Sequence, residues 1–147
     1  MDIKITVLEH GKGLEIPCHA TEESAGLDLR AAISENVILK KGERALIPNG
    51  FIMALPKGYN AEIRSRSGLA YKNGVIVLNS PGTIDSDYRG ELKTLLINFG
   101  NEDFVIERGM RIAQMVVQKY ENVKLIETES LDSTDRAAGG YGSTGTK

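Results

Sequence analysis

The sequence predicts an all-β fold, a sandwich, barrel or jelly roll built from many short strands. Three observations carry the prediction. Short β-rich segments recur along the chain, and some alternate apolar and polar residues as a half-buried strand does. Dipeptides typical of hairpins and tight turns stand between them. Long helical segments do not intervene, as they would in a fold built of strand–helix–strand units.

The first strand is expected at Ile3 to Val7, where Ile3, Ile5 and Val7 alternate with Lys4 and Thr6. Further strands are expected at Asn36 to Lys40, Arg44 to Ile47, Phe51 to Leu55 and Ala61 to Arg64. The series continues with Val75 to Leu78, Glu91 to Phe99, Phe104 to Glu107, Arg111 to Tyr120 and Val123 to Ile126. Lys41-Gly42, Asn49-Gly50, Lys57-Gly58, Asn73-Gly74, Gly100-Asn101 and Arg108-Gly109 punctuate them. One segment breaks the pattern: Ser67 to Lys72 reads as a single short helix stopped by Asn73-Gly74. Its start, Arg64-Ser65-Arg66-Ser67-Gly68, combines free helix N–H groups with arginines and hydroxyls, which suits a phosphate. The sequence shows no internal repeat.

From Asp132 to Lys147 the composition changes to glycine, serine, threonine and charge, with little apolar surface to offset ordering entropy. This divides the chain into a β core over residues 1–131 and a flexible C-terminal arm over 132–147. Such a tail is either frayed or an arm that orders over a ligand, with Arg136, Ser143 and Thr144 as phosphate donors. Gly140 to Gly145 has the glycine spacing of a phosphate-binding loop, but Thr146-Lys147 follows instead of Lys-Ser/Thr, which rejects that nucleotide fold.

With 147 residues, one domain and a sizeable core are expected. Aromatic content is only 5% and tryptophan is absent, so the core must be mostly aliphatic. A net charge of −2 argues against sequence-blind nucleic-acid binding, which needs clustered basic charge. A single cysteine, Cys18, forms no intrachain disulfide and fits a reducing compartment. Neither an apolar signal core nor a run of membrane-spanning length is present, so a soluble cytoplasmic protein is expected.

Five segments then stand out in order: Ala25-Gly26-Leu27-Asp28-Leu29, Arg66-Ser67-Gly68-Leu69-Ala70, Gly82-Thr83-Ile84-Asp85-Ser86-Asp87-Tyr88-Arg89-Gly90-Glu91, Arg111-Ile112-Ala113-Gln114, and Arg136 to Gly145. Together they span nearly the whole chain and resemble the five motifs of the trimeric dUTPase family. The resemblance implies a β jelly roll, a homotrimer whose three subunits share each active site, and Mg²⁺-assisted cleavage of dUTP to dUMP and pyrophosphate. Such an enzyme limits uracil in DNA and supplies dUMP for dTMP synthesis.

The same resemblance implies residue roles. Asp85 looks like the catalytic carboxylate that orients and deprotonates a water attacking the α-phosphorus; Asp in this context is also a common turn residue. Tyr88 resembles a sugar gate whose ring leaves no room for a 2′-hydroxyl. Asn79 matches a uracil-recognising asparagine, with the hairpin from Val75 to Leu96 offering backbone groups to the base edge. Arg66, Ser67 and Gly68 resemble a phosphate cradle, and Gln114 a further phosphate contact. Arg64 and Arg111 read as structural. Asp28 supports the metal through a water or orients an arginine; in the family the substrate's own phosphates and waters hold most of the Mg²⁺. In the arm, Arg136 is the expected γ-phosphate ligand, Gly140 and Gly142 allow close backbone approach, and Ser143 and Thr144 add hydroxyls. Tyr141 takes the place of a commoner phenylalanine over uracil, and Ala137 that of a commoner glycine. Asp87 reads as a turn or ion-pair residue, and His10, Cys18 and His19 as structural. A dCTP deaminase of the same fold and a dUTP-binding regulatory module are the alternatives.

Overall fold

A computed structural model describes residues 1–140. Eleven strands and one α-helix form its regular framework, a β jelly roll. The strands are β1 (Lys4–Val7), β2 (Leu27–Arg30), β3 (Val37–Leu39), β4 (Arg44–Pro48), β5 (Phe51–Ala54) and β6 (Tyr59–Arg64). After helix α1 (Ser67–Asn73) come β7 (Val75–Val77), β8 (Gly82–Ile84), β9 (Lys93–Asn98), β10 (Phe104–Ile106) and β11 (Arg111–Lys119). A 3₁₀ turn covers Glu9–Gly11.

Two sheets position the functional residues. The first has the order β2-β11-β6-β8 and the second β4-β9-β7; β1 pairs with β5 and β10 with β3. All these pairings are antiparallel. The nine-residue β11 carries inward Ile112, Ala113 and Met115 and lies between β2 and β6. Leu29, Leu39, Ile47, Leu92, Leu96 and Ile106 fill the interior, an aliphatic core as the composition requires. The buried polar residues are paired: Asn98 Nδ2 donates to the carbonyls of Leu39 and Glu102, and Thr94 Oγ1 donates to Asn49 Oδ1 at 3.0 Å.

Helix α1 ends where the sequence says it should. Gly74 adopts φ +67°, and its N–H returns to the carbonyls of Ala70 and Leu69. A side chain at position 74 would also strike the Gly100 backbone at 2.5 Å.

Three expectations need correction. Leu27–Arg30 and Gly82–Ile84 are strands, whereas the sequence pattern predicts none in these two motif segments. The expected strand at Val123 to Ile126 is not formed: these residues have no strand partner in the described chain, and Leu125 is 91% exposed. The apolar pattern there is real, but nothing within the described chain covers it. The Val75–Leu96 hairpin is also split, since β7 and β9 pair with each other while β8 between them joins β6 in the other sheet.

Candidate active site

The predicted residues fall into two groups at opposite ends of β6. At its C-terminal end, Gln114 of β11 stands opposite Asp28 of β2 on one side and Arg64 of β6 on the other. The chain leaves β6 through Ser65 and Arg66 directly into α1, which delivers Ser67 and Gly68 to the same edge. Asp28 holds this group together. Its Oδ1 lies 3.1 Å from Arg66 Nε, and its Oδ2 lies 3.0 Å from Arg111 Nη1. Arg66 Nη1 also donates to the Arg111 carbonyl at 3.1 Å. Of the guanidinium's five N–H donors, two are engaged in this way, leaving the rest for an anion. Gln114 Nε2 donates to the Ser65 carbonyl at 3.0 Å, and Ser65 Oγ accepts the Val77 N–H at 2.9 Å. Gly26 makes room for Gln114: a Cβ there would lie 2.3 Å from its Oε1. Ser67 and Gly68 are exposed, with open space above Gly68.

At the other end, β8 pairs with β6 so that Ile84 lies opposite Ala61. Asp85 follows, exposed, and lines a cleft of about 270 Å³ together with Leu46, Thr83, Ile84, Tyr88, Glu91 and Lys93. Tyr88 shares this cleft, and its N–H donates to the Asp85 carbonyl at 3.2 Å, closing the turn that carries both side chains. Asp87 lines a separate, more open surface with Asp85, Ser86 and Arg89. Arg89 donates to the carbonyls of Ser86 and Tyr88, which stiffens the turn. Asn79 belongs to neither turn: it lies beside the start of β8, where Gly82 pairs with Ile63 toward the Arg66 end of β6 and a Cβ on Gly82 would meet its Nδ2 at 3.0 Å.

The separation follows from strand geometry. Within β6 three residues run from the Ala61 row to Arg64, about 10 Å at about 3.3 Å per residue, with Arg66 beyond that end and Asp85 beyond the Ala61 row on the other side. Within one copy, Asp85 and Arg66 are therefore not brought together. Arg136 lies in neither group; its Nε donates to the Gly139 carbonyl at 2.9 Å in a local turn that includes Ala137 at φ +43°. Gly140 ends the described chain with open space around it, while Tyr141, Gly142, Ser143 and Thr144 lie outside the described residues.

Arg64 pairs with Glu62, and Arg111 with Asp28, as the structural reading of both arginines requires. Among the described residues no cluster of three His, Cys, Asp or Glu side chains could hold a metal ion. His10 instead meets Glu91, a contact between residues 81 positions apart that spacing alone does not reveal. Cys18 donates to Glu15 at 3.3 Å, and Glu15 also pairs with Arg30. The Cys18 contact first, then Arg30, hold Glu15 below the usual carboxylate range, and the same Glu15 contact pushes the thiol up.

An antiparallel jelly roll with an arginine–serine edge at one end of a strand and an exposed Asp–Tyr turn at the other offers anion donors and a free carboxylate, a set that suits the class of nucleotide phosphoanhydride hydrolases. Comparison with known proteins narrows it. Residues 12–145 match the family model described as dUTPase. The chain is 57% identical over 141 residues to a deoxyuridine 5'-triphosphate nucleotidohydrolase of Brucella melitensis, covering 95% of this chain and 90% of that protein. It is 56% identical over 145 residues to the same enzyme of Rickettsia typhi, covering 99% and 97%. A Staphylococcus bacteriophage 80alpha dUTPase solved with dUPNHPP superposes with a TM-score of 0.84 at 25% identity, over 98% of each chain. A mutant dUTPase of phage phi11 of S. aureus, whose structure concerns coordination of a structural Mg(II) ion, has a TM-score of 0.80 at 22% identity, over 90% of this chain and 100% of that one. The chain belongs to the dUTPase family, enzymes that hydrolyse dUTP to dUMP.

Proposed function

We propose that this chain hydrolyses dUTP to dUMP and pyrophosphate at sites assembled between copies of a homotrimer. The observation that carries the reading is the division of the candidate residues between the two ends of β6. With Arg66 and Ser67 beyond one end of β6 and Asp85 toward the other, phosphates held by the first group lie away from the Asp85 of the same copy. A neighbouring copy that offers its Asp85 end to this Arg66 end would complete the site, and threefold closure repeats the arrangement.

In such a site Arg66, Ser67 Oγ, the Gly68 N–H and Gln114 hold the phosphate chain, with Asp28 fixing the guanidinium plane before substrate arrives. Asp85 accepts a proton from a water as the water's oxygen forms a bond to the α-phosphorus. The bond from that phosphorus to the bridging oxygen breaks, and pyrophosphate leaves with the electron pair. Tyr88 packs on the deoxyribose, and Asn79 with the backbone of β7 reads the uracil edge. Arg136, Gly140, Tyr141, Gly142, Ser143 and Thr144 close over the bound nucleotide and the attacking water and exclude bulk solvent.

Mg²⁺ suits this donor set. Both Asp28 oxygens are engaged by arginines, yet each keeps a lone pair for a metal-bound water. Mg²⁺ favours substrate phosphates and retained waters over an all-protein cage, and once bound it neutralises phosphate charge. No helix of the described residues is long and apolar enough to cross a membrane, and the free Cys18 fits a reducing cytoplasm.

The test is pyrophosphate release from dUTP, dTTP, dCTP and UTP with Mg²⁺, measured side by side. Selective cleavage of dUTP is expected. Ammonia release from dCTP, or tight dUTP binding without turnover, would contradict the reading.

A further inference from the structure

We propose that Glu91 is a positioning residue for the sugar gate, held in place by His10 from 81 positions earlier in the chain. The inference rests on Tyr88 being the surface that meets the deoxyribose. Tyr88 Oη donates to the Glu91 main-chain carbonyl at 3.1 Å, so the ring hangs on that one acceptor. The hydroxyl end of the ring also lies close against Gly90: a Cβ there would sit 2.3 Å from Oη and 2.5 Å from Cζ. The location of the ring is therefore set by the backbone at residues 90 and 91.

That backbone is fixed through the Glu91 side chain. Its Oε1 accepts the Gly50 N–H at 3.1 Å and meets His10 Nε2 at 2.5 Å, while its Oε2 lies 3.9 Å from Lys93 Nζ. The side chain is only 16% exposed, and a carboxylate so sheltered requires such partners. The next residue is secured in the same way, since the Leu92 N–H donates to Phe51 and its carbonyl accepts from Asn49. Donors from the 3₁₀ turn, the β4–β5 turn and β9 thus converge on one carboxylate. Behind it is the carbonyl that holds the gate.

The physical demand is strict, because the gate must refuse a substrate that differs by a single hydroxyl. A ring free to shift by a fraction of an ångström gives that oxygen room, and a pocket that can rearrange discriminates poorly against an added hydroxyl. Glu91 lines the cleft beside Tyr88, whereas His10 is not among the residues that line it. His10 therefore acts through Glu91, and Glu91 through Tyr88.

The experiment measures kcat/KM for dUTP and for UTP, together with thermal melting, in the full-length protein and in Tyr88→Ala, Tyr88→Phe, Glu91→Ala and His10→Gln. The double variant Glu91→Ala/Tyr88→Phe completes a cycle. Glu91→Ala is expected to lower the dUTP-over-UTP preference about tenfold and His10→Gln by a few fold, with both proteins folded. The double variant is expected to be no less selective than the poorer single variant, because both changes cut one chain of contacts. The proposal is overturned if Tyr88→Ala relaxes the preference while Glu91→Ala and His10→Gln leave it within about twofold of wild type. Should Glu91→Ala fail to fold, the exposed His10→Gln change decides on the same criterion. An unchanged preference in Tyr88→Ala itself would sink the gate reading on which the proposal stands.

Discussion

The two ends of β6 present opposite solutions to the handling of charge. At the Arg66 end, one carboxylate is locked between two guanidiniums, with Arg66 also bonded to the Arg111 carbonyl, and Gln114 is separately fixed on the Ser65 carbonyl before any ligand arrives. At the Asp85 end, the carboxylate is exposed and lines a cleft, and what is fixed is the turn that carries it. The difference fits the tasks proposed for them. A polyanion is best met by donors already aimed, since ordering flexible arginines on binding costs affinity. A base must accept a proton, and a carboxylate already paired with a cation would be a weaker one.

The comparison can be broken by exchanging what each end provides. The largest effect is expected at Asp85. Asp85→Asn should keep dUTP binding while turnover falls at least about a hundredfold, the lower range of a general base's contribution. Near-normal turnover would remove Asp85 from its role. Deleting residues 136–147 should leave melting unchanged but little activity. A truncated chain that unfolds would make the tail structural instead. At the other end the change should be smaller and of another kind. Asp28→Asn removes the carboxylate between two guanidiniums, which then repel each other and lose their shared orientation. KM for dUTP should rise about tenfold with kcat less affected, the signature of lost ground-state binding. A selective loss of kcat would point instead to a direct part in the chemistry.

The smallest effect concerns neither end. Glu15 accepts the Cys18 S–H and raises the thiol's pKa, so less thiolate is present near neutral pH. Glu15→Gln should lower that pKa and speed alkylation of Cys18 by iodoacetamide a few fold at about pH 8. An unchanged rate would show that the contact does not govern the thiol.

What is legible in the sequence follows the same division. The turn at Asn73-Gly74 is readable because glycine in the left-handed region leaves a chemical signature. The longer strands are readable where one face is buried, as in Tyr59–Arg64, whose Ala61 and Ile63 are buried between Asn60, Glu62 and Arg64. Leu27–Arg30 and Gly82–Ile84 escape because each is only three or four residues long, so even the alternation in Leu27-Asp28-Leu29-Arg30 is too brief to stand out. Val123–Ile126 misleads for the converse reason: its apolar pattern is strand-like, but hydropathy cannot say whether a covering surface lies in the same described chain. Family motifs name Asp28, Arg66, Asp85 and Tyr88, yet give no hint that Asp85 and Arg66 lie toward opposite ends of β6. The Glu91–His10 contact is beyond sequence reasoning altogether, because only the fold unites residues so distant in the chain.

Cooperation between the Arg66 end of one copy and the Asp85 end of another is tested most directly by mixing two inactive variants. Arg66→Ala and Asp85→Asn are combined under conditions that let subunits exchange. If sites form between copies, some sites in the mixed assemblies carry neither lesion, and equal mixing should restore about a quarter of wild-type dUTP turnover. If the mixture stays as inactive as its components while subunit exchange is verified, both groups act from one copy, and the shared site does not exist.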